Sequence, residues 1–246
     1  MRTSRAIYHF LALCMVSAPL AAEDALPGVS MPTYTAVYRV EYKGRKAGKS
    51  SVELTYDDVS KAYRYTSSIA LEGLYKLAAP DGSAWSEFRL GADGLVLLRS
   101  WIDGVKGAAD TLVEFDWDHG LARSDAFGSV RVASGTLDAG TMPVALMNSL
   151  LHAQTAGSHT VLNGGETKTY QFAQTAEETL NTPLGALSTT VVEEQQPESR
   201  RTTVLWMAPE LCFLPVRITQ QVDDHTETSL VLETAEVLRR PQTCAG

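Results

Sequence analysis

The stretch at residues 180–218, LNTPLGALSTTVVEEQQPESRRTTVLWMAPELCFLPVRI, decides the fold class of this chain. A turn at residues 182–185 opens a β-branched run at 187–192, and a polar turn separates that run from a second one at 202–207. A third run starts at Pro215. Three strand-length runs separated by turn residues leave no room for a helix, so the stretch predicts antiparallel β-structure.

The same rhythm of short runs and turns extends through the rest of the chain. In the first run, Tyr34, Ala36, Tyr38 and Val40 alternate with Thr35, Arg39 and Glu41, which is the period of a half-buried strand. About thirteen strands are predicted in this way. A flat sheet of that length would expose its edges, so it should curl into a barrel or half-barrel or split into two packed sheets. We predict an all-β fold, a large antiparallel meander curled into a barrel or half-barrel.

One segment, residues 142–154, has helical rather than strand spacing. Val144, Met147 and Leu150 recur at intervals of three, and Pro143 stands in the first turn, where its missing N–H is tolerated. Thr141 is the candidate N-cap. The apolar stripe predicts that this helix packs on one face of the sheet or plugs the end of a barrel.

The N-terminus has the layout of a secretory signal peptide. Arg2 and Arg5 precede an apolar run at residues 7–18, and small residues precede Glu23. We predict cleavage after Ala22 and a periplasmic protein. Leu13 occupies the position before Cys14 where a lipoprotein signal has a small residue, so a lipoprotein is not predicted.

The remaining chain divides into three predicted parts. Residues 23–33 contain proline and glycine without periodicity and are read as a flexible leader. Residues 34–238 form a single β-rich domain, and residues 239–246 form a C-terminal tail.

Charge limits the partners that this protein can bind. The chain has 21 Lys+Arg and 29 Asp+Glu, a net charge of −8, and removal of residues 1–22 takes away two arginines and changes this to −10. An acidic protein repels phosphate backbones and anionic lipid surfaces, so nucleic acid is not a predicted partner. The sequence has no apolar run of the length that spans a membrane. Lipid binding through an apolar cavity depends on shape and stays open.

Two cysteines, Cys212 and Cys244, remain after signal cleavage. An even count in an oxidising compartment favours a disulfide, and the alternative is two unpaired thiols. The bridge would close a loop of about 33 residues and stabilise the fold by about 3.7 kcal/mol in the chain-entropy treatment. It would also fix the C-terminal tail.

Several local patterns share one order along the chain. They are residues 38–40 (YRV) with Gly44 and Gly48, 115–117 (FDW), 182–185 (TPLG), 206–209 (WMAP) and 214–218 (LPVRI). Together they resemble the bacterial exported family known as domain of unknown function 3108, from about residue 34 to residue 237. The resemblance implies a periplasmic, β-rich protein of Gram-negative bacteria. It transfers no catalytic residue.

Two histidine–aspartate clusters contain residue types that bind metals. They are His119 with Asp116 and Asp118, and His225 with Asp223 and Asp224. Both fall at predicted hairpin turns, where aspartate is a preferred turn residue and side chains point into water. We therefore predict no metal and no cofactor. His152 and His159 are predicted to be partly exposed surface residues.

Catalytic patterns are weak. The chain has no G-x-S-x-G nucleophile elbow, and the adjacent pairs Glu193–Glu194 and Glu177–Glu178 lie in predicted strands, so their side chains point to opposite faces. We predict that the protein is not an enzyme. A hydrolase assembled from distant strands is kept as an alternative.

Tyrosines concentrate in the first three strands. They are Tyr34, Tyr38, Tyr42, Tyr63 and Tyr65, with Tyr56 between them. One interpretation is a ligand wall for a glycan or lipid, since tyrosine combines an apolar ring with a polar tip. The other is that aromatic cross-strand pairs stabilise the sheet.

These observations support two further hypotheses besides the hydrolase. The first is a periplasmic, non-catalytic module that binds an apolar or amphipathic envelope component. The second is a structural or assembly factor of the cell envelope that acts through protein contacts, such as strand addition at a free sheet edge.

Overall fold

The structure is a computed structural model that describes residues 31–78, 81–92, 94–103, 110–197, 199–223, 225–241 and 244. The predicted signal peptide, residues 23–30 of the predicted leader, and residues 242, 243, 245 and 246 of the predicted tail lie outside the described residues. Among the described residues, Met31 and Thr33 of the predicted leader are buried, and the first strand starts at Thr33.

The described residues form fifteen strands and two helices, so the predicted β fold is confirmed with two more strands than the sequence indicated. The strands are β1 (Thr33–Tyr42), β2 (Arg45–Asp57), β3 (Ala62–Leu71), β4 (Gly82–Gly91), β5 (Gly94–Ile102), β6 (Thr111–Asp116), β7 (Leu121–Ser124), β8 (Gly128–Arg131), β9 (Leu137–Asp138), β10 (Ala156–Asn163), β11 (Glu166–Thr182), β12 (Gly185–Gln195), β13 (Arg201–Ala208), β14 (Leu214–Val222) and β15 (His225–Arg239). The helices are α1 (Tyr75–Ala78) and α2 (Met142–Leu151), and a 3-10 turn covers Pro209–Leu211.

All fifteen strands belong to one sheet with the order β8-β7-β6-β5-β4-β3-β2-β1-β15-β14-β13-β12-β11-β10-β9. Every neighbouring pair is antiparallel except β9 and β10, which are parallel. Two meanders therefore meet where β1 pairs with β15. No ladder joins β8 to β9 among the described residues, so the sheet is an unclosed half-barrel, as predicted.

Alternation along β1 sets the inner face of the half-barrel. Tyr34, Ala36, Tyr38 and Val40 are buried, whereas the residues between them are half-buried. Leu54 of β2 pairs with Tyr34, so the same face continues across the sheet. The period-two pattern that predicted this strand is therefore the pattern that fills the core.

Helix α2 fills the half-barrel. Its side chains, including Val144, Leu146 and Met147, belong to the same buried apolar cluster as the inner residues of both meanders. The helix ends at Leu151, three residues before the predicted end at Gln154, because Ala153 takes a left-handed conformation with φ 57°. The predicted packing of this helix against the sheet is confirmed.

The two ends of the sheet touch through side chains. Ala122 of β7 and Val132, which follows β8, form a small buried cluster with Leu162 of β10. This packing joins the β8 end of the sheet to the β10 side without backbone pairing.

Candidate functional site

A cavity of about 420 Å³ lies beside α2, between the β4–β5 turn and β10. Its apolar wall contains Leu90, Leu95, Leu137 and Ala145. Its polar residues are Asn148, Ser149, His152, Gln154, Ser158 and His159. Polar atoms form more of the cavity lining than apolar atoms do. The cavity volume falls within the range of roughly 300–1,000 Å³ for small-molecule sites.

Among the polar residues of this cavity, His159 has a buried ring nitrogen without a hydrogen-bond partner. Its ring stacks on Phe172, with centroids 4.8 Å apart, and its Nδ1 atom is buried without a hydrogen-bond partner. Burial lowers the pKa of His159 to about 4, because a charged imidazolium would lose its hydration. The ring is therefore neutral at neutral pH and can accept or donate one hydrogen bond from Nδ1.

His159 is partly exposed, as predicted, although its Nδ1 atom is buried. It lies inside β10, pairs across the ladder with Tyr170 and faces the interior. Gly157 and Val161 share its face, and the burial of Val161 follows the alternation of this strand. His152, in contrast, is exposed as predicted.

The C-terminal turn of α2 forms the helical wall of the cavity. Asn148 and Ser149 lie on it, and His152 follows the last helical residue. The His152 Nδ1 atom lies 2.8 Å from the backbone oxygen of Asn148, which holds the ring against the helix end. Thr141 is the N-cap residue of α2, as predicted, but its side chain makes no capping hydrogen bond.

The start of α2 is instead fixed by a buried carboxylate, Asp138 of β9. Asp138 Oδ1 accepts the backbone N–H of Thr141 at 2.9 Å, and Oδ2 accepts the Ser86 hydroxyl at 2.6 Å. This contact ties β9 and the helix to β4. Burial, followed by the nearby Asp138 charge, raises the pKa of Tyr65 above its ordinary range.

A second buried acid, Glu194, lies on the inner face of β12. It is 5% exposed, its Oε1 atom has no hydrogen-bond partner, and it pairs across the ladder with Phe172. Burial raises the pKa of Glu194 to about 7. Glu193 beside it is exposed, so the predicted opposite orientation of the pair is confirmed. Phe172 therefore has His159 stacked on its ring and Glu194 opposite it in the ladder.

The predicted tyrosine wall lies mostly in the core. Tyr34, Tyr38, Tyr63 and Tyr65 are buried, while Tyr42 at the end of β1 is exposed. The Tyr38 hydroxyl donates to the backbone oxygen of Pro215 at 2.9 Å. The ring of Tyr63 stacks on Phe88 with centroids 5.4 Å apart. These contacts match the alternative interpretation, aromatic stabilisation of the sheet, and a ligand wall stays a prediction.

The histidine–aspartate clusters are engaged in surface contacts. The Asp116 carboxylate lies 2.9 Å from His119 Nδ1 and 2.8 Å from Arg123. Asp223 is paired with Arg200, and Asp224 lies outside the described residues. Within the described ranges, no three His, Cys, Asp or Glu side chains are grouped as a metal site would require.

Cys212 and Cys244 lie at disulfide distance, with Cα atoms 5.0 Å apart. Both are buried. Cys212 follows the 3-10 turn in a left-handed conformation with φ 58°, and its N–H donates to Pro209. The pair joins the β13–β14 connection to the predicted tail, as the sequence suggested.

A comparison with family models decides the relationship of the chain. Residues 37–231 match the family described as protein of unknown function DUF3108. The chain belongs to this family. No curated protein sequence matches the chain.

Solved structures similar to this DUF3108 chain include three bacterial proteins. One is a β-barrel-like protein of domain of unknown function DUF1849 from Brucella abortus, with a TM-score of 0.55, 7% identity, and coverage of 85% of this chain and 99% of that chain. A protein from Bacteroides fragilis described as exported, with a YmcC-like fold, has a TM-score of 0.39, 13% identity, and coverage of 84% and 98%. A protein from Parabacteroides distasonis described as a lipoprotein has a TM-score of 0.32, 11% identity, and coverage of 84% and 96%. The first of these likenesses shows the β-barrel-like fold.

Two of the motifs that carried the resemblance to DUF3108 contain glycines that the backbone conformation requires. At Gly185, φ is 108°, and the Thr182 hydroxyl donates to its oxygen at 2.8 Å. A Cβ atom at Gly48 would collide with the backbone oxygen of Ala70 on β3. These DUF3108 motifs therefore hold turns and close strands, whereas the cavity is built by α2, β5 and β10.

Proposed function

We propose that this DUF3108 protein is an exported, periplasmic, non-catalytic module that binds a small amphipathic envelope component in the cavity beside α2. The observation that carries the proposal is the buried, unpartnered Nδ1 atom of His159 in a cavity that is lined by both polar side chains and leucines. A polar atom buried without a partner destabilises the folded state, and a ligand group that bonds to it removes that penalty. Leu90, Leu95 and Leu137 would contact the apolar part of the ligand.

The surroundings of the two cavity histidines favour a binding role over hydrolysis. A nucleophile–base pair needs the base within hydrogen-bond reach of a hydroxyl or thiol, and His159 Nδ1 has no such contact among the described residues. The Nδ1 atom of His152 contacts a backbone oxygen instead. Both histidines are therefore arranged to bind or to cap, and no described side chain is held as a nucleophile by their Nδ1 atoms.

Strand addition is less favoured by the sheet edges. The edge strand β8 has four residues and β9 has two. Short edge strands offer few backbone groups to a partner, and the cluster of Ala122, Val132 and Leu162 packs the two ends together. The assembly-factor alternative therefore has a smaller surface to use than the cavity offers a ligand.

The substitution His159→Phe tests the proposal. It keeps a planar ring against Phe172 and removes both ring nitrogens. We expect the dissociation constant of a dansyl-labelled medium-chain fatty acid to rise by about tenfold, since one hydrogen bond to a buried group is lost. The measurement is a fluorescence titration, combined with native mass spectrometry of the protein purified from envelope extract.

The control is His225→Phe, which removes an exposed histidine at the start of β15. It should bind the probe as the wild type does. Equal affinity of wild type and His159→Phe, or no binding by the wild type, would contradict the proposal.

A further inference from the structure

One end of the half-barrel carries a group of exposed apolar and cationic side chains. We call it the tip; it comprises the β1–β2 turn (residues 42–46) and the segment around α1 (residues 72–77). Leu74 is 81% exposed and Leu77 is 79% exposed. Single exposed apolar residues are ordinary, but two leucines three residues apart in one short segment form a small exposed apolar patch.

The two parts of the tip are held together as a unit. The ring of Tyr42 makes an edge contact with Tyr75, with centroids 6.2 Å apart. Lys46 Nζ lies 3.1 Å from the Glu72 carboxylate, and the Glu72 N–H donates to the Ala47 oxygen at 2.7 Å. The two leucines therefore project from a segment that is fixed to the sheet by these contacts.

The tip has the opposite charge from the rest of the protein. It contains the cations Lys43, Arg45, Lys46 and Lys76. Lys46 is paired with Glu72, and Lys76 is paired with Asp81, so these six side chains carry a net charge of +2 (four cations and two carboxylates) in a chain whose net charge is −8. Charges separated by more than a Debye length, about 8 Å at physiological ionic strength, are largely screened from each other. At close contact the local cations therefore decide what the tip attracts.

We propose that the tip docks the protein onto an anionic phospholipid surface. Leu74 and Leu77 enter the boundary between headgroups and acyl chains, and the cations lie among the phosphates. Tyr42 and Tyr75 suit the same boundary, because tyrosine combines an apolar ring with a polar tip. Neighbouring aliphatic side chains and cations on one exposed segment fit this surface better than they fit a purely apolar or a purely acidic partner.

This docking surface is independent of the ligand cavity. The cavity lies at the β4–β5 turn, whereas the tip lies at the β3–β4 side, so the two occupy opposite ends of β4. No helix among the described residues has the length and apolarity needed to cross a membrane. The proposed contact is therefore peripheral and reversible.

Vesicle sedimentation of the purified protein tests the proposal. We expect binding to vesicles of phosphatidylcholine and phosphatidylglycerol, weaker binding to vesicles of phosphatidylcholine alone, and release by added salt. Leu74→Ser with Leu77→Ser should reduce the partition coefficient by about tenfold or more, because the buried apolar area is lost. Lys43→Gln with Arg45→Gln should reduce binding to the anionic vesicles and leave binding to neutral vesicles unchanged.

The control is Val59→Ser, which removes an aliphatic side chain that is 93% exposed in the β2–β3 turn, away from the tip. It should bind vesicles as the wild type does. The proposal would be overturned if the wild type did not bind anionic vesicles, or if the leucine double variant bound them as the wild type does. So would sedimentation velocity showing a dimer that the leucine double variant abolishes, because a second copy would then cover the leucines.

Discussion

Burial of Glu194 makes the stability of this protein depend on pH. The pKa of its carboxyl group is about 7 in the folded state, against 4.5 for the free group, so the folded state holds the proton more tightly. The free energy of unfolding therefore falls as the pH rises from about 4.5 through 7, and it reaches its lowest value above the folded pKa. The cause is the loss of hydration by a carboxylate whose Oε1 atom has no partner.

The substitution Glu194→Gln should remove this dependence. At roughly pH 8 we expect the variant to be more stable than the wild type by about 3 kcal/mol, and at roughly pH 4 the difference should vanish. Urea unfolding at both pH values measures it. Glu193→Gln, an exposed neighbour, is the control and should change stability by less than about 0.5 kcal/mol. A constant difference between wild type and Glu194→Gln across this range would contradict the assignment.

Asp138 is a second buried carboxylate that affects stability, and it does so through hydrogen bonds. Replacing it with alanine leaves the Thr141 N–H and the Ser86 hydroxyl buried without this partner. We expect a loss of about 3 kcal/mol in the free energy of unfolding, measured by urea titration, since each unsatisfied buried group costs about 1–3 kcal/mol. Asp125→Ala, at an exposed turn, should change little. An Asp138→Ala protein as stable as this control would show that the contacts do not hold the start of α2.

Among the elements, the β13–β14 connection is fixed by the cysteine pair. The 3-10 turn at Pro209–Leu211 leads into two left-handed residues, Cys212 and Phe213. The pair then fastens this connection to the chain beyond β15, and Arg240 adds a hydrogen bond to the Glu210 oxygen at 3.0 Å. The tail is therefore attached at two points.

Removal of the bridge should weaken the whole fold. We expect Cys212→Ser with Cys244→Ser to lower the free energy of unfolding by about 3–4 kcal/mol, because the unfolded chain regains the entropy of a closed loop. Urea unfolding with and without reductant gives the same quantity for the wild type. Mass spectrometry after alkylation without reduction should find no labelled thiol, and two labelled thiols would contradict the bridge.

Element prediction from the sequence succeeded where one short-range signal dominates. The alternation of Tyr34, Ala36 and Tyr38 defined β1, and the apolar spacing around Met147 defined α2. The two-residue strand β9 was missed, because its parallel pairing with β10 depends on contacts distant in sequence. The end of α2 was misplaced because the left-handed turn at Ala153 carries no glycine signal.

The candidate site was less predictable than the elements. The orientation of Glu194 followed from strand alternation, but its lack of a partner depends on how the sheet curves around it. The unpartnered Nδ1 atom of His159 was not predictable, because the helix wall of the cavity joins β10 only after folding. The cavity is a product of three elements that are separated along the chain, and no local motif encodes it.

At the scale of the whole molecule, the described strands form a sheet that is curved but not closed. A helix fills its interior, and side chains of β7 and β10 join its ends. The cavity remains because the C-terminal turn of α2 does not fill the space next to the β4–β5 turn. Binding in this fold is therefore expected at an end of the strands, not along the inner face, which is packed.

The proposed binding role is tested most directly by a crystal structure of the protein with the dansyl-labelled fatty acid. We predict electron density in the cavity beside α2, with a polar ligand atom within hydrogen-bond distance of His159 Nδ1 and the apolar chain against Leu90, Leu95 and Leu137. An empty cavity at saturating probe, or a probe bound elsewhere with His159 Nδ1 still unpartnered, would contradict it.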